Sequence, residues 1–192
     1  MKNNLLFILI IYNIVIYSQW VENTVPSLNT LLNVKFVNSQ IGFAVGEKGT
    51  ILKTTNAGND WQELASPTKQ TLTSVHFIDE NTGWIVGLGG TIIKTTDGGI
   101  NWETQKSPKK LSFFSVYFTD KNIGWIVGQE GTLLFTSDGG LNWTEKSSET
   151  TNTLIFIQFV DKNHGWIAGQ NGIILNTTDG GNNWIKQNSG VD

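Results

Sequence analysis

One short stretch of sequence is repeated four times at a constant spacing. Its clearest copy begins at Gly83-Trp84-Ile85-Val86-Gly87, continues through a glycine-rich segment and ends at Asn101-Trp102. The tryptophans that end the copies are spaced 41 residues apart: Trp61, Trp102, Trp143 and Trp184. The glycines that open the copies keep this spacing: Gly42, Gly83, Gly124 and Gly165. Such a period indicates a repeat architecture, in which each unit buries its apolar face against its neighbours.

Each repeat contains four segments with strand-like patterns. The first alternates apolar and variable residues, as in Ser74–Ile78, and the second is the Gly83–Gly87 type. The third is exemplified by Thr50–Lys53, and the fourth begins at the tryptophan. Helical repeats are disfavoured because no long stretch shows helical spacing and glycines interrupt the chain throughout. The pattern predicts an all-β fold, a β-propeller of four four-stranded antiparallel blades, either closed or open.

Composition excludes several classes of function. The chain has 192 residues, 39% of them hydrophobic, which suits one globular domain with a sizeable core. The net charge of −3 argues against a nucleic-acid surface, which needs clustered positive charge. The absence of cysteine excludes disulfides, thiol catalysis and thiolate metal sites.

The first eighteen residues resemble a secretory signal. Lys2 supplies a positive start, Leu5 to Tyr17 is almost entirely apolar, and Ser18 is a small residue suited to cleavage. The run is short for a membrane span, so an uncleaved anchor is the lesser alternative. We therefore expect a signal peptide at 1–18, a propeller domain at 19–192 with no stable membrane span after cleavage, and a secreted, periplasmic or cell-surface location.

The spacing leaves the closure of the propeller open. Trp20 is in phase with the repeat, so residues 19–25 resemble one additional closing strand. This strand is redundant in a closed four-bladed ring, because the last repeat already has its own. We favour an open arc or an incomplete propeller over a closed ring, and an arc would allow a homodimer through its open blade edges.

A second motif, Thr-x-Asp-x-Gly-x-x-Trp, precedes each closing tryptophan. A short carboxylate or amide can bind backbone N–H groups and hold a tight turn there, while the tryptophan packs against the hairpin. We assign this structural role to four acceptors and four tryptophans: Asn56, Asp97, Asp138, Asp179, Trp61, Trp102, Trp143 and Trp184.

This motif resembles the Asp-box, or BNR repeat, of propeller blades. The longer pattern Gly-Trp-x-Val-Gly-x-x-Gly-x-Ile-x-x-Thr-x-Asp-Gly-Gly-x-x-Trp resembles the repeat of the photosystem II stability/assembly factor family, over about residues 19–190. The resemblance implies a seven-bladed propeller with an arginine-rich binding surface, whereas this chain has four repeats and no arginine. Sialidases also carry the Asp-box, which makes a sialidase-like glycoside hydrolase the alternative function.

One set of residues occupies the same position in each repeat but differs in identity from repeat to repeat. These residues lie on the first strand, which is innermost in propellers, so we expect them to line a channel or pocket: Lys35, His76, Tyr117 and Gln158. Because architecture does not fix their identity, they are either an unconstrained polar surface or a partner-binding face. We expect the partner to be a protein, a peptide or a glycan.

The sequence predicts no catalytic, cofactor or metal site. Glu47 and Glu130 lie in hairpins two blades apart but at different phases, so we interpret them as solvated loop acids. His76 and His164, the two histidines, also differ in phase, which disfavours a shared metal site. The leading hypothesis is therefore a non-catalytic exported scaffold.

Overall fold

The computed structural model describes residues 25–190, which form four separate four-stranded sheets. We call these sheets blades 1 to 4, in chain order. The predicted signal peptide at 1–18 and the predicted strand at Trp20 lie outside the described residues. Within residues 25–190, the helical segments are 3₁₀ turns, and none has the length and apolar character that a membrane crossing requires.

Every blade is an antiparallel meander in which strands pair in chain order. Blade 1 contains β1 (Leu31–Phe36), β2 (Gly42–Gly46), β3 (Ile51–Thr54) and β4 (Gln62–Glu63). Blade 2 contains β5 (Leu72–Phe77), β6 (Gly83–Gly87), β7 (Ile92–Thr95) and β8 (Glu103–Thr104). Blade 3 contains β9 (Phe113–Phe118), β10 (Gly124–Gly128), β11 (Leu133–Thr136) and β12 (Thr144–Glu145). Blade 4 contains β13 (Leu154–Phe159), β14 (Gly165–Gly169), β15 (Ile174–Thr177) and β16 (Ile185–Lys186). The 3₁₀ turns are Glu47–Gly49, Leu88–Gly90 and Gln129–Gly131.

The predicted blade composition is confirmed, with one correction at the fourth strand. This strand does not begin at the tryptophan but one residue later, and only two residues of it pair with the third strand. The reason is that the tryptophan side chain turns back onto its own hairpin. Trp102 is buried there, with its indole nitrogen beside Gly99, where a Cβ would come within 3.4 Å of it.

The first strands carry an extra residue that the sequence pattern did not predict. In blade 2 the register passes from Leu72 opposite Gly87 to Ser74 opposite Val86, which leaves Thr73 as a bulge. The Thr73 hydroxyl contacts the carbonyl of Val86 at 3.1 Å and that of Phe113, in blade 3, at 2.7 Å. The bulge thus adds a polar contact between blades, as well as the local twist that bulges produce.

The hydrophobic core lies between consecutive blades rather than within each one. One cluster combines Phe43 and Val45 of blade 1 with Val75 and Phe77 of blade 2. The rings of Phe43 and Phe77 are stacked, with their centroids 4.0 Å apart. The same relation recurs between Trp84 and Phe118 at 3.5 Å and between Trp125 and Phe159 at 6.3 Å. Each blade therefore buries its second strand against the first strand of the next blade.

The four blades form an open arc. First strands pack on one another in the order β1, β5, β9 and β13, whereas β1 and β13 do not pack together in this way. Consequently Trp166 of blade 4 is 40% exposed, although Trp84 at the same position in blade 2 is fully buried. At the other end Val34 is 59% exposed, while its blade 2 counterpart Val75 is buried. The described blades thus adopt the favoured open arrangement, not the closed four-bladed ring.

Candidate functional site

A pocket lies at the inner side of the arc, where the four first strands converge. It has a volume of 280 Å³ and is lined by three consecutive residues from each first strand. Its lining residues are Asn33, Val34, Lys35, Ser74, Val75, His76, Ser115, Val116, Tyr117, Phe156, Ile157 and Gln158. We call this feature the central pocket. It brings together all four variable residues that the repeat phase singled out.

Two of these four residues also connect adjacent blades. The His76 ring contacts the Phe118 carbonyl through Nε2 at 3.1 Å, and because a carbonyl can only accept, Nε2 carries the proton. The Tyr117 hydroxyl donates to the Phe159 carbonyl at 2.8 Å. Each bond joins a first strand to the first strand of the next blade. His76 and Tyr117 thus have a structural role that sequence reasoning did not detect, because a backbone carbonyl leaves no signature in the sequence.

The other two residues lie at the ends of the arc and are exposed. Lys35 belongs to blade 1 and Gln158 to blade 4. Within residues 25–190 neither side chain has a hydrogen-bond partner in the structure. The predicted face therefore divides into two residues bonded to backbone and two that are available to a ligand.

The electrostatics of the central pocket are dominated by a single charge. Lys35 is the one charged side chain among the lining residues if His76 is neutral. Burial lowers the pKa of His76 from 6.5 to about 4, assisted by the positive charge of Lys35 and opposed by the Phe118 carbonyl. The histidine is therefore neutral at physiological pH. Burial also raises the pKa of Tyr117.

A further row of polar residues lines the same strands and was missed by the sequence interpretation. Ser74 Oγ accepts from the backbone N–H of Val116 at 3.3 Å, and Ser115 Oγ accepts from that of Ile157 at 3.3 Å. In blade 1, Asn33 Oδ1 accepts from the backbone N–H of Val75 at 3.2 Å. This role could have been inferred from the sequence, because a polar residue occupies the same repeat position in three of the four blades. In blade 4 this position holds Phe156, which is 53% exposed.

The residues assigned to the hairpins hold the turns together. In blade 3 Asp138 Oδ1 accepts from Thr136 Oγ1 at 2.8 Å and from the backbone N–H of Asn142 at 2.9 Å. Its second oxygen accepts from the Asn142 amide at 2.8 Å. These bonds to Asn142 lower the pKa of Asp138 to about 2. The bonds from the threonine hydroxyl and from the backbone N–H four residues further on recur at the other three acceptors: Asn56, Asp97 and Asp179.

The remaining candidates lie apart from the central pocket. Glu47 and Glu130 are exposed on 3₁₀ turns of blades 1 and 3, and neither lines it. The second histidine, His164, binds Asp161 at 2.9 Å at the surface of a turn in blade 4. Among residues 25–190, no group of three or more histidine and acidic side chains is arranged to hold a metal ion.

Sheet topology and pocket together define a repeat scaffold of the β-propeller class, with its concave site at the hub. A family model described as "Photosynthesis system II assembly factor YCF48" matches residues 56–148 and 142–192. The chain therefore belongs to this family. No curated protein matches the chain.

Solved structures show the same fold at low sequence identity. YCF48 bound to D1 peptide is 19% identical with a TM-score of 0.62, over 89% of this chain and 85% of that one. YCF48 from Cyanidioschyzon merolae is 22% identical with a TM-score of 0.69, and the match spans 85% of this chain but 57% of that protein. An ancestral GH74 enzyme is 17% identical with a TM-score of 0.69, over 85% of this chain and 26% of the enzyme.

Proposed function

We propose that this protein is a non-catalytic, exported binding scaffold that holds an extended peptide segment of a protein partner in the central pocket. The observation that carries the proposal is the convergence of Lys35, His76, Tyr117 and Gln158 on one concave site. The YCF48 structure with a bound D1 peptide supports a peptide as the ligand class. A glycan remains the alternative ligand, and no specific contact favours it.

The available groups suit a peptide backbone. Lys35 and Gln158 supply donors for carbonyl or carboxylate oxygens, and Lys35 adds a positive charge. The Nε2–H of His76 is bonded to a carbonyl, but Nδ1 can still accept a hydrogen bond. The Tyr117 oxygen can likewise accept a hydrogen bond while its O–H donates to Phe159. Peptide N–H groups are suitable donors to both. We infer that the preferred peptide carries a carboxylate, at a side chain or at its C-terminus, positioned next to Lys35.

The pocket lining is also consistent with a non-catalytic role. Glycoside hydrolysis normally requires a pair of carboxylates on either side of the scissile bond. The described residues that line the central pocket include neither aspartate nor glutamate. The similarity to a GH74 enzyme, at 17% identity, is a similarity of fold. Turnover of aryl glycosides or sialosides by the purified protein would contradict this part of the proposal.

Peptide display tests the binding site directly. The immobilised protein would be screened against a random peptide library, and fluorescence anisotropy would give the affinity of each selected peptide. We expect Lys35→Glu to weaken binding about tenfold or more, which corresponds to roughly 1.4 kcal/mol. Lys48→Glu is the matched control, because Lys48 is an exposed lysine outside the pocket and Glu130 already occupies its counterpart position. Selected peptides that do not distinguish these two variants would overturn the proposed site.

Export is tested separately, by following the N-terminus of the protein. We expect the extracytoplasmic fraction to contain a chain that begins near Gln19, as N-terminal sequencing would show. Recovery of the protein only from the cytoplasm, with Met1 or Lys2 at its start, would contradict export and leave the binding proposal unaffected.

A further inference from the structure

The two ends of the arc expose the two halves of one interface that the chain already forms three times. Between blades 2 and 3 this interface contains the stacked pair of Trp84 and Phe118, whose centroids are 3.5 Å apart. At the blade 4 end the exposed counterpart of Trp84 is Trp166, and at the blade 1 end the exposed counterpart of Phe118 is Phe36, which is 41% exposed. One end thus lacks the ring that the other presents.

The surroundings of these two rings are complementary in the same way. The blade 1 end has an apolar hollow of 340 Å³, with Leu31, Val34 and Trp61 in its lining. In the interior, the corresponding space beside Val75 and Trp102 is filled by Phe43 and Val45 of the preceding blade. At the blade 4 end Trp166 and Ala168 hold the positions of Phe43 and Val45, and both are exposed. The hollow and the projecting residues are therefore matched halves.

One polar contact of the repeated interface can also be completed, whereas the serine contact cannot, because Phe156 holds its position in blade 4. His76 and Tyr117 bind the carbonyls of Phe118 and Phe159, each one blade further along the chain. Gln158 occupies the same phase in blade 4, and its amide is a donor for a carbonyl at the position of Phe36. This bond joins a neutral amide to a backbone carbonyl, so it places no like charges together.

From this continuity with an interface already present in the fold, we propose that a second copy of the chain covers both ends of the arc. Trp166 of each copy stacks on Phe36 of the other, and the two arcs close a ring of eight blades. Eight blades fall within the range that propellers adopt. A head-to-tail contact that is made twice closes without leaving a free end. The two central pockets then face each other across one channel.

The test is the solution mass of the full-length gene product, expressed with its N-terminal segment so that any processing takes its normal course. Size-exclusion chromatography with light scattering should give a discrete dimer. Trp166→Glu and Val34→Glu, which alter opposite ends, should each give a monomer with unchanged far-ultraviolet circular dichroism. Ile185→Glu, at an exposed position on the outer strand β16, is the control and should remain dimeric.

Mixing the two end variants distinguishes a head-to-tail contact from other dimers. The mixture retains one intact interface, formed by blade 4 of the Val34→Glu chain and blade 1 of the Trp166→Glu chain. We expect it to recover heterodimers that neither variant forms alone. A monomeric wild-type protein would overturn the proposal, and so would a dimer that survives both end substitutions or that Ile185→Glu dissociates. These outcomes do not depend on peptide binding, so the dimer and the proposed function can fail independently.

Discussion

The indole of Trp84 donates a hydrogen bond from Nε1 to the carbonyl of Gly139, 3.1 Å away in the next blade. The same carbonyl accepts from Lys94 Nζ at 2.9 Å. Since Trp84 is also fully buried against Phe118, one side chain combines stacking and hydrogen bonding across the boundary between blades 2 and 3.

We expect Trp84→Ala to destabilise the protein by about 3–5 kcal/mol, because it removes a fully buried aromatic side chain and leaves a cavity. Trp84→Phe keeps a ring on Phe118 but loses the hydrogen bond to Gly139. The loss of this bond should lower the free energy of unfolding by only about 1 kcal/mol. Urea unfolding followed by tryptophan fluorescence measures both. Ile100→Ala, at an exposed position, should change stability by less than about 0.5 kcal/mol. Equal effects of Trp84→Ala and Ile100→Ala would refute the importance of this contact.

Removal of the buried hydroxyl of Thr136 should cost roughly 1–3 kcal/mol, because the backbone N–H of Gly140 would be left without its acceptor. In the structure Thr136 Oγ1 accepts from Gly140 N at 3.0 Å and is itself buried. The variant Thr136→Val keeps the shape of the side chain. Thr144→Val, at an exposed threonine of the same blade, serves as the reference and should be close to neutral. Chemical denaturation of the two variants should separate them clearly.

The hairpin of blade 1 suggests a swap experiment in blade 3. Asn56 donates from Nδ2 to Asp60 Oδ2 at 2.8 Å, whereas in blade 3 the carboxylate is Asp138 and the amide is Asn142. Asp138→Asn alone should place two amide groups together and cost about 1 kcal/mol. The double variant Asp138→Asn, Asn142→Asp restores the blade 1 arrangement and should recover most of this loss. A double-mutant cycle in urea that shows strict additivity would contradict this pairing.

Acid should destabilise the protein through His76 before it affects the hairpin carboxylates. The pKa of His76 is lowered from 6.5 to about 4 by burial, so between these values the unfolded chain binds a proton that the folded chain does not. The stability from neutral His76 is complete above pH 6.5 and is lost as the pH falls towards 4, by about 3 kcal/mol in total. The free energy of unfolding, measured across this range, should show the loss.

The two histidines provide the control for this prediction. His76→Gln should flatten the pH dependence between 6.5 and 4, because glutamine can donate to the Phe118 carbonyl without titrating. His164→Gln, at the exposed histidine, should preserve it. A loss of stability that begins only below pH 4 in the wild-type protein would show that His76 is not held neutral by the fold. The stability that ionised Asp138 contributes is lost only at lower pH, between its unfolded pKa of 3.8 and its folded pKa of about 2.

Much of the fold could be predicted because the period of 41 residues places every strand independently of chemistry. The convergence of Lys35, His76, Tyr117 and Gln158 also followed from phase, since residues at one phase occupy equivalent places in each blade. The two-residue fourth strands could not be predicted, because the folding back of Trp102 onto Gly99 depends on the shape of the turn.

The hydrogen bonds between blades could not be predicted from the sequence, for a different reason. His76 and Tyr117 bind main-chain carbonyls, which every residue possesses, so side-chain identity does not reveal the acceptor. The bonding partner of Ser74 was hidden similarly, because it is a backbone N–H. Curvature depends on many small rotations between blades, and therefore the sequence pattern left the choice between an arc and a ring open.

The bonds that join consecutive first strands reach 42 residues along the chain, from Asn33 to Val75, from His76 to Phe118 and from Tyr117 to Phe159. In a single chain, folding therefore never has to bring the first blade to the last, and the entropy of loop closure is limited to about one repeat at each step. Such a molecule behaves as a one-dimensional array of nearest neighbours, in which blades can be added in order as synthesis proceeds. In the monomeric Trp166→Glu variant, amide hydrogen exchange should accordingly be slowest in blades 2 and 3, each flanked by two neighbours, and faster in blades 1 and 4.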